Sequence, residues 1–314
     1  MNPFRLGQNS WTALSGLAKS PWMVAIWPWL FIAVFFLTPF LFVIKISLSE
    51  AAFAQPPYLD VVRSVSDGLV EIKLNFGSYL LLFDDSLYLS AIWNSVKTAL
   101  ISTALCILIG YPLAYSIASS PAHWRVPLIM FVMLPFWTSF LIRVYAWMGI
   151  LKTNGLLNNV LMGLGIVDAP LEIMHTQAAV YIGIVYSYLP FFVLPLYATL
   201  VRLDHTLLEA AADLGAGPLT QFFTVTLPQS VPGLMAGAML VFIPVMGEFV
   251  IPDLLGGPDT LMIGKVMWTE FFSNKDWPVA SALALVLLTL LILPFVLLRY
   301  FERRSELEDP NEAV

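Results

Sequence analysis

The sequence predicts an all-α membrane protein that crosses the bilayer six times. Hydrophobic residues make up 59% of the 314 residues, charged residues make up 11%, and the mean hydropathy is +0.82. A soluble domain usually carries about 25% charged residues, so this chain has too little polar surface for water. Runs that reach the roughly 20 apolar residues needed to span a bilayer lie at 23–48, 88–118, 126–151, 178–202, 230–253 and 279–301.

Prolines interrupt several of these predicted spans. They are Pro39, Pro112, Pro135, Pro190, Pro195, Pro244 and Pro294. A proline removes one helical hydrogen bond, and neighbouring helices must satisfy the freed carbonyl. Many such positions together predict helices that bend around a central cavity.

Basic residues predict which ends of the spans face the cytoplasm. Arg5, Lys19, Arg125, Arg202, Arg299, Arg303 and Arg304 flank one set of span ends, whereas Arg63, Lys73, Lys152, Lys265 and Lys275 lie mostly in longer loops on the other side. The positive-inside rule therefore favours two cytoplasmic termini. The predicted organisation is a cytoplasmic segment 1–22, a membrane domain 23–301 whose first span is retained, and a cytoplasmic tail 302–314.

The sequence contains no arrangement of residues that indicates catalysis or metal binding. The three histidines, His123, His175 and His205, are too dispersed for a metal site, and Cys106 is the single cysteine. No phosphate-binding glycine loop or nucleophile motif is present. The chain is therefore expected to be neither an enzyme nor a metalloprotein.

The segment 203–229, between predicted spans 4 and 5, is less apolar than its surroundings. Apolar residues from Leu207 to Leu214 follow helical spacing, Gly215 and Gly217 break the helix, and Pro218 can begin a second helix that stops at Pro228. We expect two short helices joined by a tight turn. They could pack beneath their own bundle or form a surface for another protein.

This loop resembles the signature of permease subunits in binding-protein-dependent ABC importers. That signature is Glu-Ala-Ala, three residues, Gly, nine residues, Ile, one residue, Leu-Pro, and it matches Glu209, Ala210, Ala211, Gly215, Val225, Leu227 and Pro228. Val225 in place of Ile keeps a β-branched apolar shape. The resemblance implies a type I permease fold in which a cytoplasmic coupling helix binds an ATPase subunit.

Longer strings resemble putrescine/spermidine importer permeases, particularly the PotH-like subunit. They include AVYIGIVYSYLPFFVLPLYATL, MLVFIPVMGEFVIPDLLGGPDTLMIGKVMWTEFF and DWPVASALA. The resemblance implies an inner-membrane permease that pairs with a second, similar permease, with two ATPase subunits that bind ATP and magnesium, and with a periplasmic solute-binding protein. The implied substrate is a polyamine, putrescine before spermidine.

Ionisable residues inside spans are costly and usually face a cavity or a partner. Lys97, Arg143 and Glu248 all fall in the outer third of their predicted spans. One interpretation is an ion pair between Glu248 and Arg143 or Lys97. The other is a path for a cationic substrate, formed by carboxylates and aromatic faces: Glu248, Asp253, Trp137, Tyr145, Tyr186 and Tyr188.

Two alternative functions remain open from the sequence. The chain could be the permease of an importer for another small solute, such as an aminophosphonate, ferric ion or sulfate. It could also be an ion-coupled secondary carrier or a channel, but neither has a use for the Glu-Ala-Ala loop. An acidic loop at 49–87, with six carboxylates against two basic residues, favours a cation over an anion.

Overall fold

A computed structural model describes residues 21–65 and 69–308 of the chain. Of the predicted N-terminal segment 1–22 and tail 302–314, residues 1–20 and 309–314 lie outside the described residues, and so do Arg5 and Lys19. The described part is mainly helical. Its helices are α1 Pro21–Ile32, α2 Thr38–Ser47, α3 Gly77–Asp84, α4 Ser86–Ser119, α5 Ala122–Met133, α6 Phe140–Leu151, α7 Leu156–Gly163, α8 Gln177–Leu200, α9 His205–Asp213, α10 Pro218–Gln221, α11 Leu227–Met246, α12 Val250–Leu255, α13 Ile263–Trp268 and α14 Trp277–Glu308.

Four uninterrupted helical runs in the described residues are long and apolar enough to cross a membrane. They are Ile26–Ser47, Ser86–Ser119, Gln177–Leu200 and Pro218–Met246. A bent pair, Ala122–Trp137 with Phe140–Gly163, counts as a fifth if it forms one span. The sixth predicted span, 279–301, lies within the 32-residue helix α14. At about 1.5 Å per residue, this helix is roughly 48 Å long. The total of six spans stays a prediction.

The third span, predicted as an apolar run at 126–151 that Pro135 interrupts, is broken into two helices rather than only bent. Helix α5 passes into a 3₁₀ turn at Leu134–Trp137, and Thr138 and Ser139 are extended before α6 begins. The two halves meet at 88°. Pro135 lacks an amide hydrogen and so cannot donate the next α-helical hydrogen bond, and the chain leaves the helix within one turn of it.

The fifth span is also shifted from the predicted 230–253. It begins at Pro218, continues through a π-helical turn at Phe222–Thr226, and ends at Met246. Pro228 therefore does not stop the second loop helix, because it lies in the first turn of α11 and the π-helical turn before it accommodates the missing hydrogen bond. Glu248 lies in the break between α11 and α12.

Helices α4, α8 and α11 form the centre of the bundle, where they meet around Phe192. This side chain is fully buried. A Cβ atom on Gly237 of α11 would lie 2.7 Å from the Phe192 carbonyl oxygen, and one on Gly110 of α4 would overlap the Phe192 ring. The absence of side chains at these two positions permits the close approach of the three helices.

Two β-hairpins lie at one end of the bundle, which we call the hairpin end, in a segment that we predicted only as a loop. Strands β1 Glu50–Ala51 and β2 Tyr58–Leu59 pair antiparallel, as do β3 Val62–Val65 and β4 Leu69–Ile72. Salt bridges join Lys45 to Asp60 at 2.6 Å and Lys73 to Glu50 at 2.7 Å. Two of the six carboxylates that made this loop acidic are therefore paired.

Candidate substrate path and coupling loop

The Glu-Ala-Ala segment lies on a short, well-capped helix at the end of the bundle opposite the hairpins. The Asp204 carboxylate accepts a hydrogen bond from the Thr206 amide at 3.0 Å and so begins α9. Gly215 ends the helix with a φ of +85°. The amides of Gly215 and Ala216 then bond to the carbonyls of Ala212 and Ala211 at 2.8 and 3.0 Å. This closing turn requires the left-handed conformation that glycine adopts without strain.

The loop exposes apolar side chains that no described part of the chain covers. Leu207, Leu214, Leu219 and Phe223 are 45%, 89%, 75% and 61% exposed. In the signature, Glu209, Ala210, Gly215 and Pro228 are also exposed, whereas Ala211, Val225 and Leu227 are half-buried. The interpretation that the loop only packs beneath its own bundle would require these leucines to be buried, and they are not.

Aromatic side chains connect this loop to the centre of the bundle. Phe222, in the π-helical turn, packs edge-on against Tyr111 and Tyr115 of α4, with ring centroids 5.5 and 6.3 Å apart. The Tyr111 hydroxyl is 2.8 Å from the Ser230 hydroxyl of α11. A displacement of the loop would therefore act directly on both α4 and α11.

Glu248 is buried at the break between α11 and α12, with 7% of its surface exposed. One carboxylate oxygen accepts hydrogen bonds from the Val250 and Ile251 amides at 3.0 and 3.3 Å. The other accepts a short hydrogen bond from the Tyr188 hydroxyl of α8. The carboxylate thus begins α12 and holds it to α8, as expected for an anion at a helix N-terminus.

The predicted ion pair of Glu248 with Arg143 or Lys97 does not form among the described residues. Lys97 is exposed on α4. Arg143 is 8% exposed, and its Nε and Nη1 atoms have no hydrogen-bond partner in this part of the chain. Its guanidinium instead lies over the rings of Phe136 and Phe140, at 5.2 and 5.7 Å. The backbone amides and Tyr188 occupy the carboxylate that Arg143 was expected to bind.

Of the predicted path residues, Tyr188 is the one in hydrogen-bond contact with Glu248 within the described chain. The Asp253 carboxylate pairs with Lys265 at 2.8 Å. Trp137 and Tyr145 are 82% and 56% exposed, and Tyr186 packs edge-on against Trp147 at 5.3 Å. These four residues therefore lie on the surface of the bundle.

Two phenylalanines that were not predicted from the sequence connect the two buried charges. Phe191 lies 6.0 Å from Tyr188 and 4.7 Å from Phe136, measured between ring centroids. Phe136 in turn lies under Arg143. One feature of the sequence could have indicated these residues: Phe136 directly follows Pro135. The helix breaks there, and the break brings α5 and α6 against α8.

Comparison with protein families identifies the class of this chain. The family described as "Binding-protein-dependent transport system inner membrane component" matches residues 107–306, which include the Glu-Ala-Ala loop, Arg143 and Glu248. The chain belongs to this family. It is therefore a multi-pass inner-membrane transport component, and the expectation of a non-catalytic subunit agrees with the family.

Among curated relatives, the spermidine/putrescine transport system permease protein PotB of Haemophilus influenzae is 44% identical over 226 residues, which cover 71% of this chain and 79% of that protein. PotB of Escherichia coli is 43% identical over 223 residues, with 71% and 80% covered. A putative 2-aminoethylphosphonate permease, PhnU of Salmonella choleraesuis, is 28% identical, with 71% and 78% covered.

The fold agrees with solved permease structures. A bacterial alginate ABC transporter in complex with an alginate-bound periplasmic protein superimposes with a TM-score of 0.64, covering 90% of this chain and 94% of that chain at 17% identity. A second alginate transporter structure gives the same TM-score at 18% identity, with 93% and 99% covered. The predicted helical permease fold is confirmed.

Proposed function

We propose that this chain is the permease subunit of an ATP-driven importer that translocates a polyamine across the inner membrane. The observation that carries the proposal is the 44% identity to a spermidine/putrescine permease over 71% of the chain. The aminoethylphosphonate permease shares only 28%. Putrescine is the first substrate to test and spermidine is the second.

The chemistry around Glu248 supports a cationic substrate. Polyamines carry protonated amines, and a buried carboxylate is the group that binds them most strongly. Glu248 lies in a helix break, where backbone groups and the carboxylate can both face a path. In the present conformation its oxygens are held by Tyr188 and two amides, so an arriving amine would exchange with the Tyr188 hydroxyl.

The proposed assembly has a second, similar permease, two cytoplasmic ATPase subunits and a periplasmic solute-binding protein. The exposed apolar surface around Glu209, Ala210 and Gly215 supports an ATPase partner at this end of the bundle. ATP and magnesium would be bound by the ATPase subunits, and their hydrolysis would supply the free energy of import. Both termini would be cytoplasmic.

The proposed mechanism is alternating access. Closure of the ATPase pair would move the α9 loop, and Phe222 would transmit that movement to α4 and α11 through Tyr111 and Tyr115. Because helices packed around Phe192 move as rigid bodies, a shift at the loop would change access to Glu248 at the other end of α11. A secondary carrier or channel has no need of such a loop.

Uptake of labelled putrescine and spermidine tests the substrate assignment. We would compare cells that lack this gene and other polyamine carriers with the same cells that carry the wild-type gene or Gly215→Asp. The proposal expects the wild-type gene to restore uptake of at least one polyamine. It expects Gly215→Asp to reach the membrane without restoring uptake, because aspartate at a φ of +85° distorts the end of α9.

Absence of polyamine uptake with the wild-type gene and its partner subunits would contradict the polyamine assignment. Phosphonate, sulfate and ferric ion would then be tested as substrates in the same cells. Full uptake by Gly215→Asp would instead contradict the role of the loop in coupling to the ATPase.

A further inference from the structure

Six aromatic side chains form a continuous series of ring contacts from the hairpins toward Glu248, and we call it the aromatic ladder. Successive ring centroids are 6.1, 4.8, 4.9, 4.1 and 4.8 Å apart. Two of the contacts are stacked, with interplanar angles of 5° and 10°. In order, the residues are Tyr58, Trp277, Phe271, Phe272, Trp268 and Phe249.

One end of the ladder opens into a cleft of about 1030 Å³, the hairpin cleft. It is lined by the β1–β2 hairpin loop, residues 51–57, and by Phe271, Phe272 and Trp277 of the ladder. Asn274, Lys275 and Asp276 complete the lining. The cleft is large enough for a small organic solute.

The other end of the ladder is the residue next to the buried Glu248 in the chain. Phe249 follows Glu248 directly in the chain and stacks on Trp268 at 4.8 Å. Glu270, which lies between Trp268 and Phe271 in the chain, accepts hydrogen bonds from Tyr88 at 3.0 Å and Asn274 at 2.9 Å. Glu270 is therefore adjacent in the chain to the middle of the ladder, whereas Asp276 and Lys275 line the cleft.

The middle of the ladder is accessible rather than buried in the core. Trp268, Phe271 and Phe272 are 47%, 36% and 55% exposed. An exposed aromatic face attracts an ammonium group, and successive rings at this spacing let a flexible amine pass from one face to the next without full loss of stabilisation. Aliphatic residues would pack as well but would give no such attraction.

We propose that the aromatic ladder is the route by which a cationic amine moves from the hairpin cleft to Glu248. This inference rests on the proposed function, because it specifies how the substrate of that function enters. Two features carry it, namely the unbroken ring contacts and the positions of their two ends, one at an open cleft and one at Phe249, next to the buried Glu248 in the chain. A lipid-facing belt of aromatic residues would not need to connect these two points.

Fluorinated tryptophans at position 268 test the route. Fluorine weakens the cation–π attraction of the ring while it changes the shape of the side chain very little. We would place tryptophan and its mono-, di- and trifluoro forms at position 268 of the full complex in cells and measure the KM for labelled putrescine. We expect KM to rise with each fluorine, by about 2- to 30-fold over the series, with the amount of assembled complex unchanged.

Trp93 of α4 provides the matched control, because it is 66% exposed and makes no ring contact with the ladder among the described residues. Fluorination there should leave KM unchanged. Two further variants separate attraction from packing: Trp268→Tyr should retain most uptake, and Trp268→Leu should lose it. A KM that does not respond to fluorination at position 268 would overturn the ladder, as would equal loss of assembled complex in Trp268→Tyr and Trp268→Leu.

Failure of the proposed function would give different results from failure of the aromatic ladder. Wild-type cells would then import neither polyamine, and the fluorinated series would be measured with the solute that the complex does import. A KM that rises with fluorine for another cationic solute would support the ladder without the polyamine assignment. A neutral or anionic imported solute would overturn both.

Discussion

The carboxylate of Glu248 has two roles at the scale of single residues. It supplies acceptors for the amides of Val250 and Ile251 at the start of α12, and it fixes the hydroxyl of Tyr188. Pro244 and Gly247 at the end of α11 favour a helix break just before it. The sequence showed that a charge lies in this apolar run, but it did not predict the partners of that charge.

Replacing Glu248 with glutamine removes the negative charge of the side chain but keeps its hydrogen-bonding role in the fold. A glutamine oxygen can still accept from the two amides, and the Tyr188 hydroxyl can rotate to accept from the new amide group. We therefore expect normal assembly of the complex. Uptake should fall about 10- to 100-fold, since a charge-assisted hydrogen bond to an amine contributes about 1.5–3 kcal/mol. Initial rates of labelled putrescine uptake measure the effect.

Glu172→Gln is the matched control, because this exposed carboxylate lies outside the proposed path, and uptake should stay at the wild-type level. Normal uptake by Glu248→Gln would show that the carboxylate serves only to begin α12. Loss of the assembled complex in Glu248→Gln would assign Glu248 a structural role instead.

The environment of Arg143 could not be predicted from the sequence, for a physical reason. Sequence distance places Arg143 and Glu248 at similar depth, and opposite charges in a membrane are expected to pair. The 88° bend between α5 and α6 instead places the guanidinium over Phe136 and Phe140. Backbone amides, which carry no sequence signal, satisfy the carboxylate.

At the scale of helices, hydropathy predicted where the apolar elements lie but not where they break. The runs 88–118 and 178–202 correspond closely to α4 and α8. Runs 126–151 and 230–253 each contain a break, at Thr138 and at Gly247. Pro112, Pro190 and Pro195 lie inside continuous helices, so proline alone does not distinguish a bend from a break; packing against neighbours decides.

Gly237 tests the close packing of α8 and α11. A methyl group there would lie 2.7 Å from the Phe192 carbonyl oxygen, so Gly237→Ala must push the helices apart. We expect a cost of about 1–3 kcal/mol, typical of overpacking, and a lower midpoint of thermal unfolding for the purified complex. Gly149→Ala in α6, which meets no atom within 4 Å, should leave that midpoint unchanged or raise it. Equal midpoints for both variants would show that α8 and α11 are not tightly packed at Phe192.

At the scale of the whole molecule, the two proposed functional sites lie at opposite ends of α11. The exposed α9 loop and Phe222 lie near its first residues, and Glu248 follows its last. Both sites could be proposed from the sequence, because each carries a local pattern: fixed spacing in the loop and a charge in an apolar run. The aromatic ladder was not predicted, since its members come from four separate segments and only folding brings them together.

ATP-driven accumulation in proteoliposomes tests the central claim most directly. The complete complex would be reconstituted with its binding protein, and uptake of labelled putrescine and spermidine would be measured with ATP and magnesium, with ADP, or with an imposed ion gradient alone. We predict concentrative uptake of a polyamine only with ATP and only in the presence of the binding protein. Accumulation driven by the ion gradient without ATP would contradict the importer mechanism and would identify the chain as a secondary carrier.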